Sequence, residues 1–401
     1  MLTLDKIYQA SYVLKDVIRP TELMAAPNIE SENNIYLKAE NLQITGSFKI
    51  RGSYFKISQL SEAEKAKGII ACSAGNHAQG VALAAQKNHI PCLICMPDSA
   101  PLSKIEATKS YGAKIHLAKG SYDDAYEDAL KIQKEKDYTF IHPFNDEDVI
   151  AGQGTIALEV LQQLENIDAI VVPIGGGGLI SGIAYTIKSL KPECKVYGVQ
   201  AAGAASMKQA CECDEIFSLD EVNTFADGIA VKRAGVLTYE LTKQYVDEIL
   251  TVSDDEIAAA ILMLMEKQKM VAEGAGAVSV AAAMFNKLPI KNKNVVCVVS
   301  GGNIDVNILA RVITRGLLMS GRKTSLTIAL VDKPGQLLGV SDIISKCGGN
   351  VVAVDYDNGD PDMDINSCFL KITMETKNHE HIQSIINELE VNGFKIVKER
   401  T

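Results

Sequence analysis

Ala169-Ile-Val-Val-Pro-Ile-Gly-Gly-Gly-Gly-Leu-Ile-Ser-Gly-Ile-Ala-Tyr-Thr-Ile187 decides the fold. The apolar run Ala169 to Ile174 reads as a buried strand, and Leu179 onward reads as the opening of a helix. Between them stand four consecutive glycines, Gly175, Gly176, Gly177 and Gly178. Glycine accepts φ > 0 and carries no Cβ to keep a ligand away, but it costs folding entropy, so a simple turn has little reason to use four. A strand, a bare loop and a helix N-terminus together converge N–H groups on one point with the positive end of the helix dipole behind them. That arrangement predicts a phosphate site.

The nucleotide templates do not fit it. The chain has no G-x-x-x-x-G-K-[ST] sequence, and the tetraglycine does not satisfy G-x-G-x-x-G. Gly152-Gln-Gly-Thr-Ile-Ala157 matches G-x-G-x-x-A, but the polar Asn145-Asp-Glu-Asp148 precedes it instead of a strand, so helix packing is the reading. The phosphate therefore belongs to a different kind of cofactor.

Outward from the glycines, apolar runs alternate with helical patterns. Gly68 to Cys72 precedes His77 to Lys87, Ile90 to Met96 precedes Ser103 to Tyr111, and Lys114 to Leu117 precedes Tyr122 to Lys136. Val196 to Gln200 and Asn294 to Val299 are further strands. This alternation predicts βαβ units, a mostly parallel sheet and an α/β class, with sites at the C-terminal strand ends. Beyond Ser320-Gly-Arg-Lys323 the order becomes βαββαβ: strands at 326–331, 350–356, 368–374 and 394–398, with helices at 336–346 and 379–390. That is the split ferredoxin-like unit, a separate C-terminal module. Asp355 to Asp364 holds five aspartates without the EF-hand pattern and reads as a solvated hairpin loop.

The 401 residues are enough for two or three domains, and 47% hydrophobic with 22% charged residues is ordinary for a globular chain. A net charge of −10 argues against nucleic-acid or anionic-membrane partners. No apolar run approaches the roughly 20 residues of a membrane span. Met1 to Lys6 lacks the form of a signal peptide. Nine cysteines without such a signal fit reduced thiols, and a cytoplasmic location is expected. Cys92-Leu-Ile-Cys95 lies inside a strand-like run, where positions three apart face opposite sides, so a buried structural pair is expected and not a redox or metal site. Cys211-Glu-Cys213 has no second pair at zinc-ligand spacing.

Three more motifs carry chemistry. Thr45-Gly-Ser-Phe-Lys-Ile-Arg-Gly52 places Lys49 at the start of a helical stretch, flanked by Phe48 and Ile50; burial lowers an amine's pKa and makes it a nucleophile. Ser73-Ala-Gly-Asn-His77 is a second strand–loop–helix junction, suited by its N–H groups to a carboxylate, with Asn76 offering an amide and His77 an imidazole. Ser300-Gly-Gly-Asn303 closes another strand with a hydroxyl that can cap a helix or reach an aromatic ring nitrogen.

These four motifs, in their order along the chain (Lys49, Ser73–His77, Gly175–Gly178, Ser300), resemble those of the threonine/serine dehydratases among the fold-type-II pyridoxal-phosphate enzymes, over about residues 5–318. Asp332-Lys-Pro-Gly-Gln-Leu337 resembles the D-x-P-G-x-L signature of an ACT regulatory domain. The resemblance implies a catalytic domain over 1–320 of two open α/β lobes, the smaller (about 50–145) inserted in the larger, and an ACT domain over 325–401. It implies that pyridoxal 5′-phosphate is carried by Lys49 beside Phe48. Gly175, Gly176, Gly177, Gly178 and Leu179 would hold its phosphate, Asn76 its 3-oxygen and Ser300 its ring nitrogen. Ser73, Ala74, Gly75, Asn76 and His77 would hold the substrate carboxylate. Asp332, Pro334, Gly335, Gln336 and Leu337 would contact an amino-acid effector.

The implied reaction is β-elimination: L-threonine to 2-oxobutyrate and ammonia, and more slowly L-serine to pyruvate, in a homodimer or homotetramer. Serine racemases of this fold carry a serine where this chain has Ala74, and cation-dependent members a glutamate where it has Gln200, so little racemisation and no metal requirement are expected. Glu273, in Ala272 to Ala277, and Asp227, in Ala226 to Ala230, also match family patterns; each either touches the pocket or serves as a cap or buried hydrogen-bonded carboxylate. A racemase, a β-replacing synthase of the same fold and an amino-acid-sensing regulator with an inactive core remain alternatives.

Overall fold

A computed structural model describes residues 2–357 and 366–400. Residues 358–365, most of the aspartate-rich stretch expected to form a solvated hairpin loop, lie outside the described residues. By internal contacts the chain divides into two compact units, Met1–Asp305 and Val306–Thr401.

The first unit contains two sheets. The larger runs in the order Leu23–Ala25, Asn34–Ala39, Asn294–Val299, Ala169–Pro173, Lys195–Ala201, Glu248–Val252. All its pairings are parallel except the first. The smaller is wholly parallel: Lys114–Ala118, Cys92–Pro97, Ile69–Cys72, Thr139–Phe140. Strands buried on both faces read as continuous apolar runs, and Ala169–Pro173 and Ile69–Cys72 are buried at every position. Asn34–Ala39 and Glu248–Val252 mix polar with apolar residues, which is why patterning did not mark them as strands.

Cys92 and Cys95 are both buried and unpaired, and they contribute to hydrophobic clusters on opposite faces of the small sheet, as strand periodicity requires. Gly152 and Gly154 belong to the helix Glu147–Gln163, which is capped by the Asp146 side chain. A Cβ on Gly152 would lie 2.6 Å from the Arg51 carbonyl, and one on Gly154 3.0 Å from the Gly182 carbonyl. Their smallness lets three helices approach closely.

The helix that begins with Lys49, Lys49–Ser58, is anchored by Arg51. The Arg51 side chain is fully buried and uses all five of its donors. Nε and Nη2 donate to Glu40 (both 2.8 Å), Nη1 and Nη2 to Glu159 (2.6 and 3.0 Å), and Nη1 to Thr155 (3.1 Å). Lys38, also fully buried, donates to Glu159 (2.6 Å) and the Thr21 carbonyl (2.7 Å). Burial alone would raise the Glu40 pKa; the Arg51 charge overrides it and holds the carboxyl below its ordinary value.

In the second unit the strands Asn350–Asp357, Ser367–Glu375, Lys323–Val331 and Lys395–Arg400 form, in that order, an antiparallel sheet. With helices Gln336–Lys346 and His379–Val391 the connectivity is βαββαβ. Residues of Lys323–Val331 alternate between half-buried and buried, and the buried set packs with Val340, Ile344, Ile382, Ile385 and Leu389 of the helices. The helix Val306–Met319 is grouped with this unit.

Removing one partner from a buried ion network leaves an uncompensated charge. Arg51→Met is expected to lower equilibrium stability in urea by about 3–5 kcal/mol, because Glu40 stays buried without its cation.

Candidate active site

The site forms where strand ends from both sheets of the first unit face one another. From the larger sheet come the loop after Ala169–Pro173 and the loop after Asn294–Val299; from the smaller comes the loop after Ile69–Cys72. A fourth segment, Thr45 to Lys49, is tied to the second of these: Ser47 bridges Gly301, Phe48 N–H donates to the Ser300 carbonyl (3.1 Å), and Gly302 N–H donates to the Gly46 carbonyl (2.8 Å). Gly46 has φ +70°, and a Cβ there would strike Asn303 at 2.4 Å. Lys49 and Ser300, distant in sequence, are thereby neighbours.

Gly177 adopts φ +95° and precedes the helix Gly178–Leu190. A Cβ on Gly176 would lie 2.3 Å from the Phe144 ring, and one on Gly178 2.9 Å from Phe144 Cα. The glycines thus satisfy two demands, the left-handed turn and close packing by Phe144. Among the described residues the N–H groups of Gly175 through Ile180 find no acceptor, whereas Ser181 N–H already bonds the Gly177 carbonyl. Six successive unsatisfied donors at a helix N-terminus match the oxygens of a phosphate group.

At the Ser73–His77 junction, Ser73 N–H is taken by the Cys95 carbonyl (3.1 Å) and Gly75 N–H by the Ser73 hydroxyl (3.2 Å). The Ala74, Asn76 and His77 N–H groups have no acceptor among the described residues, so the anion-binding capacity of this loop is narrower than the full five-residue stretch. His77 is buried, with Nε2 2.9 Å from the Ile141 carbonyl and Nδ1 unsatisfied. Burial, then the nearby Lys49 charge, pushes its pKa down to about 3, which leaves a neutral imidazole.

Lys49 donates from Nζ to the Pro143 carbonyl at 2.9 Å and lies 5.3 Å from the centre of the Phe48 ring. Burial brings its pKa down to about 8, with Glu273 pulling the other way. Its place as first residue of its helix, beside the positive dipole end, acts in the same direction as burial. Ser300 is buried and its hydroxyl donates to the Ala275 carbonyl at 3.3 Å. Asn76 Nδ2 donates to Glu273 Oε1 at 2.6 Å, and Asn76 Oδ1 accepts from Asn303 at 2.7 Å. Asp227 pairs with Lys104. Gln200 is buried and donates to the Ala204 carbonyl (3.1 Å) while accepting from Lys208 N–H (2.8 Å).

Sequence reasoning missed His142-Pro-Phe-Asn145. His142 Nδ1 accepts from Phe144 and Asn145 N–H (3.2 and 2.9 Å), and Asn145 Oδ1 accepts from Leu237 N–H (3.0 Å). This loop carries both the Pro143 carbonyl under Lys49 and the Phe144 ring against the glycines. A usable signal was the cluster of turn-forming and aromatic residues just before an Asp-capped helix. In the second unit, Asp332 Oδ1 accepts from the Tyr356 hydroxyl (3.2 Å), and Gly335, at φ +94°, precedes the helix starting at Gln336.

A desolvated amine, a phosphate-shaped set of backbone donors and a buried hydroxyl at a strand end fit pyridoxal phosphate: aldehyde carbon, phosphate and ring nitrogen respectively. Residues 14–301 match the family described as pyridoxal-phosphate-dependent enzymes. The chain is 48% identical over 399 residues to L-threonine ammonia-lyase of Thermotoga maritima, covering 99% of each. Among solved structures it is similar to maize serine racemase (TM-score 0.74, 34% identity, 79% of this chain and 98% of that one). It is also similar to the processed form of threonine deaminase isoform 2 from Solanum lycopersicum (TM-score 0.73, 37% identity, 78% and 88%). A family match spanning most of the chain, on a site whose unsatisfied donors and buried amine fit the cofactor, makes this chain a member of the pyridoxal-phosphate-dependent enzyme family, in its fold-type-II branch.

Proposed function

We propose that the protein is an L-threonine ammonia-lyase that converts L-threonine to 2-oxobutyrate and ammonia, with L-serine to pyruvate as a slower reaction. The observation that carries the reading is the pairing of Lys49, a buried amine whose pKa is brought down to about 8, with the unsatisfied donors of Gly175 through Ile180. The nearly full-length similarity to the Thermotoga maritima enzyme supports the choice of substrate.

Pyridoxal phosphate, when bound, supplies an electron sink for negative charge at the amino acid's Cα. Lys49 would hold the cofactor through Nζ, and the same nitrogen, once free, would take the Cα proton. Gly175 through Ile180 would hold the phosphate with backbone donors and the helix dipole. Ala74, Asn76 and His77 N–H groups, at the start of the helix Asn76–Lys87, hold the substrate carboxylate and so orient the Cα–H bond toward Lys49. Ser300 would face the ring nitrogen with a neutral hydroxyl, which does not force that nitrogen to stay protonated, and the Cβ hydroxyl would leave as water, its added proton balanced by the one taken from Cα. The released enamine tautomerises to an imine, to which water adds and from which ammonia leaves, giving the 2-oxo acid. His77 and His142 are held uncharged, His142 at about 4 by burial and then the Lys49 charge, and add no competing cation. Ala74 offers no proton to the face opposite Lys49, which favours elimination over racemisation.

The C-terminal βαββαβ unit is assigned as an ACT-type regulatory module over 325–401, after a catalytic domain over 1–320. Its effector contacts are assigned to Asp332, Pro334, Gly335, Gln336 and Leu337. Val352, Val354 and Tyr356 lie exposed on its edge strand, a surface suited to pairing in a homodimer or homotetramer. No helix among the described residues is long and apolar enough to cross a membrane, and a cytoplasmic location fits.

Purified protein is expected to release 2-oxobutyrate from L-threonine, and Lys49→Ala to reduce that release by about a thousandfold or more. No release by the wild type would overturn the assignment. L-isoleucine in the same assay reports on the C-terminal module, since inhibition marks a biosynthetic role and indifference a catabolic one. Apoprotein should capture added pyridoxal phosphate covalently, read by absorbance, at a rate that rises with pH around a midpoint of about 8, because only the free Lys49 amine reacts. Ser300→Asp should slow elimination by about tenfold or more, roughly 1.4 kcal/mol in barrier, while gaining side reactions.

A further inference from the structure

One buried acid in the site has no part in the proposed mechanism. Glu273 immediately precedes the helix Gly274–Met284 and is 4% exposed. Its N–H donates to the Gly301 carbonyl (3.1 Å), which fixes it to the loop that carries Ser300. Its Oε1 accepts from Asn76 Nδ2 (2.6 Å). Asn76 Oδ1 in turn accepts from Asn303 Nδ2 (2.7 Å), and that nitrogen also donates to the Thr45 carbonyl (2.8 Å). These bonds define which way the Asn76 amide points, oxygen toward Asn303 and nitrogen toward Glu273. An amide nitrogen has two hydrogens, so one serves Glu273 and the other remains for the site.

We infer that Glu273 is a positioning residue for the proposed reaction: its carboxyl group fixes the Asn76 amide, and its ionisation is transmitted through that amide to the cofactor oxygen Asn76 holds. The inference rests on the lyase reading above and deepens it.

The surroundings of Glu273 make that ionisation matter near neutrality. Burial and then the Asp227 charge raise its pKa to about 7, against the Asn76 hydrogen bond and the cations Lys104 and Lys49. Asp227 reaches it from the turn Asp227–Ile229; a Cβ on Gly228, in that turn, would lie 3.3 Å from Glu273 Oε1. Lys104 comes from the helix Leu102–Ser110, and Lys49 from the start of its own helix. Above about pH 7 the Asn76 bond is charge-assisted and strong; below it the acid is protonated and the bond weakens.

The test uses holoenzyme, with two readouts followed against pH: the absorbance of bound pyridoxal phosphate and kcat/KM for L-threonine. Wild type should show an inflection near 7 in both. Glu273→Gln should retain cofactor, remove that inflection and lower kcat about tenfold or more, with KM changed less than about threefold. Asp227→Asn, at an exposed position, should move the inflection to lower pH because the repelling charge is gone; it decides the matter if Glu273→Gln does not fold. An inflection that persists unchanged in Glu273→Gln, or stays in place in Asp227→Asn, overturns the inference. A colourless wild-type protein that releases no 2-oxo acid overturns the lyase reading itself, an outcome distinct from an active, yellow enzyme whose inflection ignores both substitutions.

Discussion

A lysine that must be uncharged cannot simply be placed in an apolar pocket, because its ammonium form would draw in water or a carboxylate. The first unit is arranged around this constraint. Lys49 starts a helix, where the dipole disfavours positive charge, and its nitrogen rests on a neutral carbonyl, that of Pro143. Charged groups close to this helix are settled elsewhere: Arg51 of the helix itself, Lys38 of the preceding strand, Glu40 just after that strand and Glu159 of the helix Glu147–Gln163 satisfy one another in a buried network that fixes the helix without placing a carboxylate beside Lys49. Glu273 is the acid that approaches Lys49, and burial together with Asp227 brings its own pKa up to about 7.

The same economy of charge governs anion binding. Two helices, Gly178–Leu190 and Asn76–Lys87, start at the site with free N–H groups, and neither needs a cationic side chain to hold a phosphate or a carboxylate. Backbone donors do not fluctuate as lysine or arginine side chains do, and they carry no formal charge that would depress the nearby imidazoles further. His77 and His142 are already pushed down to about 3 and 4 by burial and then by Lys49. The site is therefore polar, rich in free backbone donors and poor in fixed cations, a setting in which the Lys49 amine gives up its proton more readily than an exposed lysine does and the serine hydroxyl stays neutral.

Much of this was readable locally. The Gly175–Gly178 loop, the Lys49 helix start, the Ser73–His77 junction and Ser300 at a strand end each announce themselves within a few residues, because a strand–loop–helix junction writes its periodicity and its glycines into adjacent positions. The βαββαβ order after residue 320 was legible for the same reason. Asn34–Ala39 was not, since its mixed polarity gives no apolar run; its strand character comes from parallel pairing with Asn294–Val299. Arg51 looked like part of a chemical motif, and only its contacts with Glu40 and Glu159 show it to be an anchor. His142 to Asn145 offered only a cluster of turn-forming and aromatic residues, which does not state its role, because that role depends on what Phe144 and Pro143 meet in space.

The sequence by itself determined which peptide segments could bind an anion, carry a reactive amine or end a strand, since those properties depend on φ/ψ freedom, side-chain type and short-range periodicity. Tertiary structure alone decided which of them share a site. Pairing of Gly46–Phe48 with Ser300–Gly302 brings Lys49 to Ser300, and the Glu273–Asn76–Asn303 chain joins three segments far apart in sequence. It also decided the protonation states, because desolvation and the proximity of charges are properties of the folded surroundings and not of any residue's neighbours along the chain.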